Sequence, residues 1–473
     1  MARIRDVLET SELLGNKTLK KKERNLFAFL LTLVFVVTAS FTAGIFLERA
    51  ILKSRDGRGV GYDWLTELVD DFGPRPVGSE SLEKAIDYVT TRLNQEGFDN
   101  VHTEMVPDLP TFVRQKDAAL LLQPRNYKMD ILAIGGSIPT PPDGINASVI
   151  VIKNFGELKN AAANGLVVGK IVVFNEKWSG YGKTVAYREG ADVVAEYGGL
   201  ALLVRSVTPF SVYSLHTGAG KTGKDIALRI PAACITVEDA ELMARFQKRG
   251  KVVRIYLKML SHPGPMVNSK NILFEITGSR LPQEVVLLSC HFDSWDVGQG
   301  AMDDAGGCSV AWSALRAIQL LKIRPRRTIR VAFWTGEELT GSLGSKHFFG
   351  THKNESDKYV LVSESDIGVF RPKSLNSSMK YSGEDLELAQ DVSYMLQSQD
   401  IPLSATAARY TGGEVSYWSK IGVPGITYSN PDDYDNYFIF HHTKADTMTV
   451  YTPEDIDVTG AIFAAFAYVF ANA

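Results

Sequence analysis

HFDSWDVGQGAMDDAGG, residues His291 to Gly307, is the stretch from which the rest of the chain can be read. It follows an apolar run, Val285–Cys290. After a helical run comes RTIRVAFWTGEEL, Arg327 to Leu339, with a second apolar run at Thr328–Trp334. Both runs are short and bounded by polar, Gly-rich turns, the pattern of strands buried on both faces of a parallel sheet. Each ends on groups that bind metal. The first delivers His291 and, two residues on, Asp293. A loop just before the next helix carries Asp303 and Asp304. The second delivers Glu337 and Glu338. In an open α/β sheet the site lies outside the carboxyl ends of the strands, so these side chains are set to converge.

The residue types fit one chemistry. Imidazole and carboxylate are the zinc ligands of hydrolytic sites. A carboxylate has two oxygens and can bridge two metals. A second carboxylate beside a ligand can act as a base on metal-bound water. A histidine ligand needs an outer partner to fix its tautomer, and Asp293 is well placed for that. The bland alternative is a loop of solvated acids capping a helix. It suits one Asp-Asp pair better than it suits a strand-end HxD, a GAMDD loop and a strand-end GEE taken together.

HFDSWDVGQGAMDDAGG followed by FWTGEEL resembles the co-catalytic zinc exopeptidases of the aminopeptidase and glutamate carboxypeptidase family. Further matches are GPRPVGS at Gly73–Ser79, SESD at Ser363–Asp366 and FHHTKADTMTVYTPED at Phe440–Asp455. The resemblance runs from Tyr62 to the C-terminus and is weaker between Met129 and His262. It implies that two zinc ions are bound, one by His291 and Asp366, the other by Glu338 and His442. Asp303 would bridge them, and Glu337 would be the general base and acid toward a metal-bridging hydroxide. It also implies an outer role for Asp293, a cis peptide before Asp304, and His442 rather than His441 as ligand. The substrates implied are dipeptides or short peptides with a free terminus, and the assembly implied is a homodimer.

Composition sets outer limits. A chain of 473 residues is long enough for two or three domains with large cores. With 45% hydrophobic and 22% charged residues it is an ordinary globular composition, and a net charge of −3 offers nothing to nucleic acid. The three cysteines, Cys234, Cys290 and Cys308, make no disulfide framework. Cys290 ends a buried strand and Cys308 lies on the next helix, so both are expected to be core thiols.

Residues 1–25 form a basic leader with Lys17, Lys20, Lys21, Lys22 and Arg24. Leu26–Leu47 is uncharged and long enough to span a bilayer as a helix. The positive-inside rule then keeps the N-terminus cytoplasmic and sends the remainder across. A cleaved signal ending near Val37-Thr38-Ala39 is the competing reading. Both put the catalytic part in the secretory lumen or outside the cell. Sequons at Asn146, Asn354 and Asn376 suit that side, whereas Asn16 would face the cytosol.

The expected fold is α/β, a mixed and mostly parallel sheet flanked by helices. Residues 48–128 are its first part and 263–473 its main part. Helices are expected at Asp63–Phe72 and Ser79–Asn94, and a strand at Val101–Pro107. Between Met129 and His262 short β-like runs recur around a helix at Tyr187–Tyr197. That order resembles a protease-associated domain inserted into the catalytic one, which either limits substrate size or is a lid without substrate contact. HTGAGKTGK at His216–Lys224 resembles a phosphate loop but lacks the strand-to-helix order, so a flexible loop is expected. Ser429–Phe440 is expected as a loop lining the cleft, and Thr452–Ala471 as a buried helix. Rival functions are an aminopeptidase on longer peptides, a glutaminyl cyclase-like transferase, and a catalytically silent receptor-like ectodomain.

Overall fold

The computed structural model describes residues 59–473. The Leu26–Leu47 segment, its leader and Asn16 lie outside the described residues. Among those described, no helix is long and apolar enough to cross a membrane.

The main sheet has eight strands: β1 (Asp99–Leu109), β2 (Val267–Ile276), β3 (Leu281–His291), β4 (Arg327–Trp334), β5 (Tyr359–Glu364), β6 (Ser378–Ser382), β7 (Ser404–Ala407) and β8 (Gly425–Ser429). Their order is β1-β2-β4-β3-β5-β8-β6-β7. Strands β4, β3, β5 and β8 run parallel at its centre, and β1 and β2 join antiparallel on one side. Every residue of β3 from Val285 to His291 is buried, which explains the unbroken apolar run. In register, His291 pairs with Trp334 and Ser289 with Glu364. The ends of β3, β4 and β5 are therefore level, and whatever follows them meets at one edge.

Helices cover both faces. Glu80–Gln95 starts where Ser79 caps it, its side chain accepting from the Leu82 N–H, and it buries Leu82, Ala85, Ile86, Val89 and Leu93 on one side. Pro453–Asn472 begins with a capping box between Thr452 and Asp455 and is buried nearly throughout. It packs against Gly306–Leu320, the helix that follows the GAMDD loop.

A second eight-stranded sheet is inserted between β1 and β2. It starts at Ala118, earlier than the expected Met129, because Ala118–Gln123 and Tyr127–Met129 pair with each other and the former with Arg254–Lys258. Its four central strands are parallel, and helices accompany them, so the insert is α/β rather than simply β-rich. Two other expectations change. Tyr434–Phe440 is a helix, not loop, because Tyr437 and Phe438 find a buried face to pack on. Cys290 and Cys308 are not thiols: they form a disulfide, since the last turn of β3 lies beside the first turn of the following helix. Cys234 is the buried free cysteine.

Candidate metal centre and active site

His291 closes β3, Glu337 and Glu338 follow β4, and Asp366 follows β5. Asp303 and Asp304 come from the loop between β3 and its helix, joined by a cis peptide. His442 arrives from the segment after Tyr434–Phe440. The level strand ends bring all of these together. None of the acids in the loop is solvated: Asp303 is 4% exposed and Asp304 0%. The bland reading of a solvated cap therefore fails.

Asp303 stands at the centre. One carboxylate oxygen lies 3.1 Å from His291 Nε2 and the other 3.1 Å from His442 Nε2. Asp366 is 3.3 Å from His291 Nε2, and Glu338 is 3.0 Å from His442 Nε2. The outer nitrogens settle the tautomers. His291 Nδ1–H donates to the Asp293 carbonyl at 2.9 Å, and His442 Nδ1–H donates to the Thr217 carbonyl at 3.1 Å. With a metal bound, each ring would be neutral and would turn a lone pair inward, beside the carboxylate oxygens. Asp303 Oδ2 has no hydrogen-bond donor among the described residues, which leaves a buried acceptor for a cation to meet. A divalent metal fits this donor set of imidazole and carboxylate.

The neighbours have separable tasks. Asp304 accepts from the backbone N–H of His291 at 3.2 Å and of Gly307 at 3.1 Å, so its oxygens are engaged in holding the loop. Asp293 is the partner of His291 through its backbone carbonyl. Its carboxylate accepts from the N–H groups of Glu337 at 3.1 Å and Glu338 at 3.3 Å, which aims both glutamates. Glu338 is turned to His442, and its other oxygen takes the Trp295 N–H at 3.2 Å. Both glutamates border the cavity, and of the two it is Glu338 that reaches His442. His441 stacks on His442 at 3.5 Å and reaches 3.4 Å from Asp303. His442, however, carries the strained backbone, with φ +61°.

Electrostatics agree with a cation-binding centre. Burial works against charge on His291, but Asp366 and Asp303 outweigh it and hold its pKa well above the ordinary range. Burial first, and crowding by like charges second, push Glu337, Glu338 and Asp304 well above the usual carboxylate range. A cation relieves that crowding.

The centre opens on a cavity of about 400 Å³. Its far wall is the insert, through Tyr181, Val185, Arg188, Glu189, Ala219 and Thr222. The insert is thus no detached lid. The His216–Lys224 run is not a free loop either. His216 and Thr217 are fully buried, and His216 Nδ1–H donates to the His441 carbonyl at 2.9 Å. Residue patterns had singled out neither Arg188 nor Thr217. A lone Arg carries no motif, and a backbone carbonyl carries no side-chain signal at all. Asn146, Asn354 and Asn376 are exposed, and Asn376 donates to Asp432.

Residues 271–467 match the model of peptidase family M28. The chain is 44% identical to carboxypeptidase Q of Mus musculus over 412 residues, 87% of this chain and 85% of that protein. Carboxypeptidase Q of Homo sapiens is 43% identical with the same coverage. Among solved structures, a peptidase M28 precursor from Shewanella amazonensis is 32% identical, with TM-score 0.84, covering 92% of this chain and 97% of that one. A zinc aminopeptidase from Bacillus subtilis, at 19% identity and TM-score 0.63 over 86% and 93% of the two chains, shares the fold. The chain belongs to peptidase family M28. With a donor set of zinc-binding type in place, it is a zinc metallo-exopeptidase.

Proposed function

We propose that this chain hydrolyses dipeptides or short peptides at a centre of two zinc ions that share Asp303, with Glu337 as general base and acid. The observation that carries the reading is the pair of imidazole Nε2 atoms flanking the two oxygens of one buried carboxylate. His291 and Asp366 would hold one ion, and Glu338 and His442 the other. Zinc there would supply Lewis acidity and lower the pKa of a nearby water toward about 7. Glu337, open to the cavity and free of ties to the histidines, takes the proton of the attacking water and hands it to the leaving amine. Asp293 keeps both glutamates aimed through their backbone N–H groups. A cavity of about 400 Å³, at the small end of the ~300–1,000 Å³ usual for ligand pockets, supports short substrates over long peptides.

Zinc per chain and turnover of Glu337→Gln and Glu338→Gln test this. Glu337→Gln should keep both ions and lose about 100- to 10,000-fold in rate. Glu338→Gln should lose one ion and recover part of its activity in excess zinc. A fully active Glu337→Gln protein, or one that loses metal while Glu338→Gln keeps it, would sink the mechanism.

The reading extends to location. A disulfide beside the centre and exposed sequons at Asn146, Asn354 and Asn376 support a catalytic part in the secretory lumen or outside the cell, anchored or released at Leu26–Leu47. Resistance to carbonate extraction and sensitivity to N-glycosidase are expected. A soluble protein beginning near Ser40 establishes cleavage, and the absence of glycan at all three sites counts against the compartment. The homodimer implied by resemblance belongs to the same reading, and light scattering at one chain mass refutes it.

A further inference from the structure

Glu364 and Glu414 have no task in the centre described above, yet both are buried, at 4% and 1% exposure. Glu364 ends β5, two residues before Asp366. Glu414 lies in the short helical turn Gly413–Val415. That turn is pressed onto the strand. Gly413 has φ +63°, and a side chain there would run into Glu364 Oε2. With glycine in place, the Glu414 N–H donates to Glu364 Oε2 at 2.8 Å. Glu364 Oε1 and both carboxylate oxygens of Glu414 accept no hydrogen bond among the described residues.

The surroundings give no relief. Side chains alternate along a strand, so Glu364 shares its face with Val362. Val362 belongs to an apolar cluster with Leu287, Val415 and Trp418. A carboxylate without a donor in such a place is strongly unfavourable. One shared proton would satisfy two of the three oxygens and leave the third, with its charge, unpaired.

Two hydroxyls lie on the same face. In register Thr427 pairs with Glu364 and Gly425 with Val362. Thr411 Oγ1 occupies the space that a side chain on Gly425 would fill. Thr411 is 2% exposed, and neither its hydroxyl nor that of Thr427 has a hydrogen-bond partner among the described residues. A hydroxyl rotates to suit its neighbours, so two idle ones beside idle carboxylates call for a further group. Oxygens held about 2.3–2.6 Å from one calcium ion stand about 3–5 Å from each other, too wide for most of them to bond among themselves. The set is oxygen only, without imidazole or thiol, and suits a hard cation rather than zinc.

We propose that Glu364, Glu414, Thr411 and Thr427 bind one calcium ion, separate from the zinc centre. Waters would complete its shell. The ion would tie the end of β5, which hands Asp366 to the zinc centre, to the turn Gly413–Val415. The proposal stands without the peptidase reading.

The test uses the full chain loaded with zinc, in calcium-free buffer. Equilibrium dialysis with radioactive calcium should find one ion per chain that excess zinc does not displace. Calcium at about 5 mM, above the ~0.1–1 mM affinity of extracellular calcium modules, should raise Tm by about 1–3 °C. Magnesium at the same concentration should do less, because it gives up its waters reluctantly. Glu414→Gln keeps the shape and offers Glu364 an amide donor. It should keep its zinc, lose calcium binding and show no rise in Tm with calcium. Thr411→Val removes one hydroxyl and should weaken calcium binding several-fold with zinc content unchanged. It decides the matter alone if Glu414→Gln does not fold. Absence of bound calcium, the result if the pair holds only protons, overturns the proposal. Equal effects of calcium and magnesium overturn it too, as does calcium binding that Thr411→Val leaves unchanged.

Discussion

Removing the Cys290–Cys308 bond should cost about 3 kcal/mol. The two residues are 18 apart, and closing a loop of that length in the unfolded chain is worth about 3 kcal/mol at 25 °C. The closed loop carries Asp293, Asp303 and Asp304, so the bond restrains the acidic loop from both ends. Both cysteines are fully buried, and truncating either to Ala removes packing worth about 1 kcal/mol more. A double-mutant cycle separates the two effects. Cys290→Ala and Cys308→Ala should each destabilise by about 4 kcal/mol, because either one breaks the bond. The double variant should lose only about 5 kcal/mol, leaving a coupling of about 3 kcal/mol. Denaturant unfolding under non-reducing conditions measures it. Thiol titration of the denatured, unreduced protein should find Cys234 alone. Three titratable thiols, or losses that simply add, would refute the reasoning.

Two further outcomes are expected. His442→Ala should lower zinc content and activity together, while His441→Ala should keep the zinc; the reverse pattern by elemental analysis would exchange their roles. His216 is held neutral by burial, with Arg188 adding to the effect, and its pKa is pushed down to about 3. Its Nδ1–H donates to His441 and its Nε2 accepts from Ser214. A depressed histidine contributes stability above its unfolded pKa near 6.5 and loses it as pH falls toward 3. By pH 5 the loss should reach about 2 kcal/mol. His216→Gln should flatten that slope, and an unchanged stability–pH curve would count against it.

The strand ends were readable because burial and chemistry alternate there in one dimension: an apolar run, then a donor. Val285–Cys290 before His291 and Thr328–Trp334 before Glu337 leave little freedom in a parallel sheet. Parts that depend on three-dimensional neighbours were not readable. Cys290 and Cys308 looked like separate core residues because their pairing requires a helix to return along its own strand. The insert began at Ala118 because Ala118–Gln123 pairs with a strand more than a hundred residues away, Arg254–Lys258, and Tyr127–Met129 pairs with Ala118–Gln123 in turn. Thr217 acts through its carbonyl, which every residue possesses. Arg188 is distinguished by two buried nitrogens, Nε and Nη2, without a partner among the described residues, and an absence leaves no mark in a string of letters.

The hydrogen bond from His442 to the Thr217 carbonyl binds two histories together. Inserted domains are usually treated as exchangeable parts, to be deleted, grafted or randomised while the catalytic core is left alone. Here one atom of the inserted segment chooses the tautomer of a catalytic-domain histidine. Cutting the insert out would leave that imidazole free to turn. Grafting it from a relative would succeed only with the His216–Gly218 backbone kept in register. The wall of the cavity and the support of His442 are therefore parts of one short segment, which holds Thr217, Ala219 and Thr222. A library meant to alter one without the other should leave these residues untouched and vary Tyr181, Val185 and Glu189 around them.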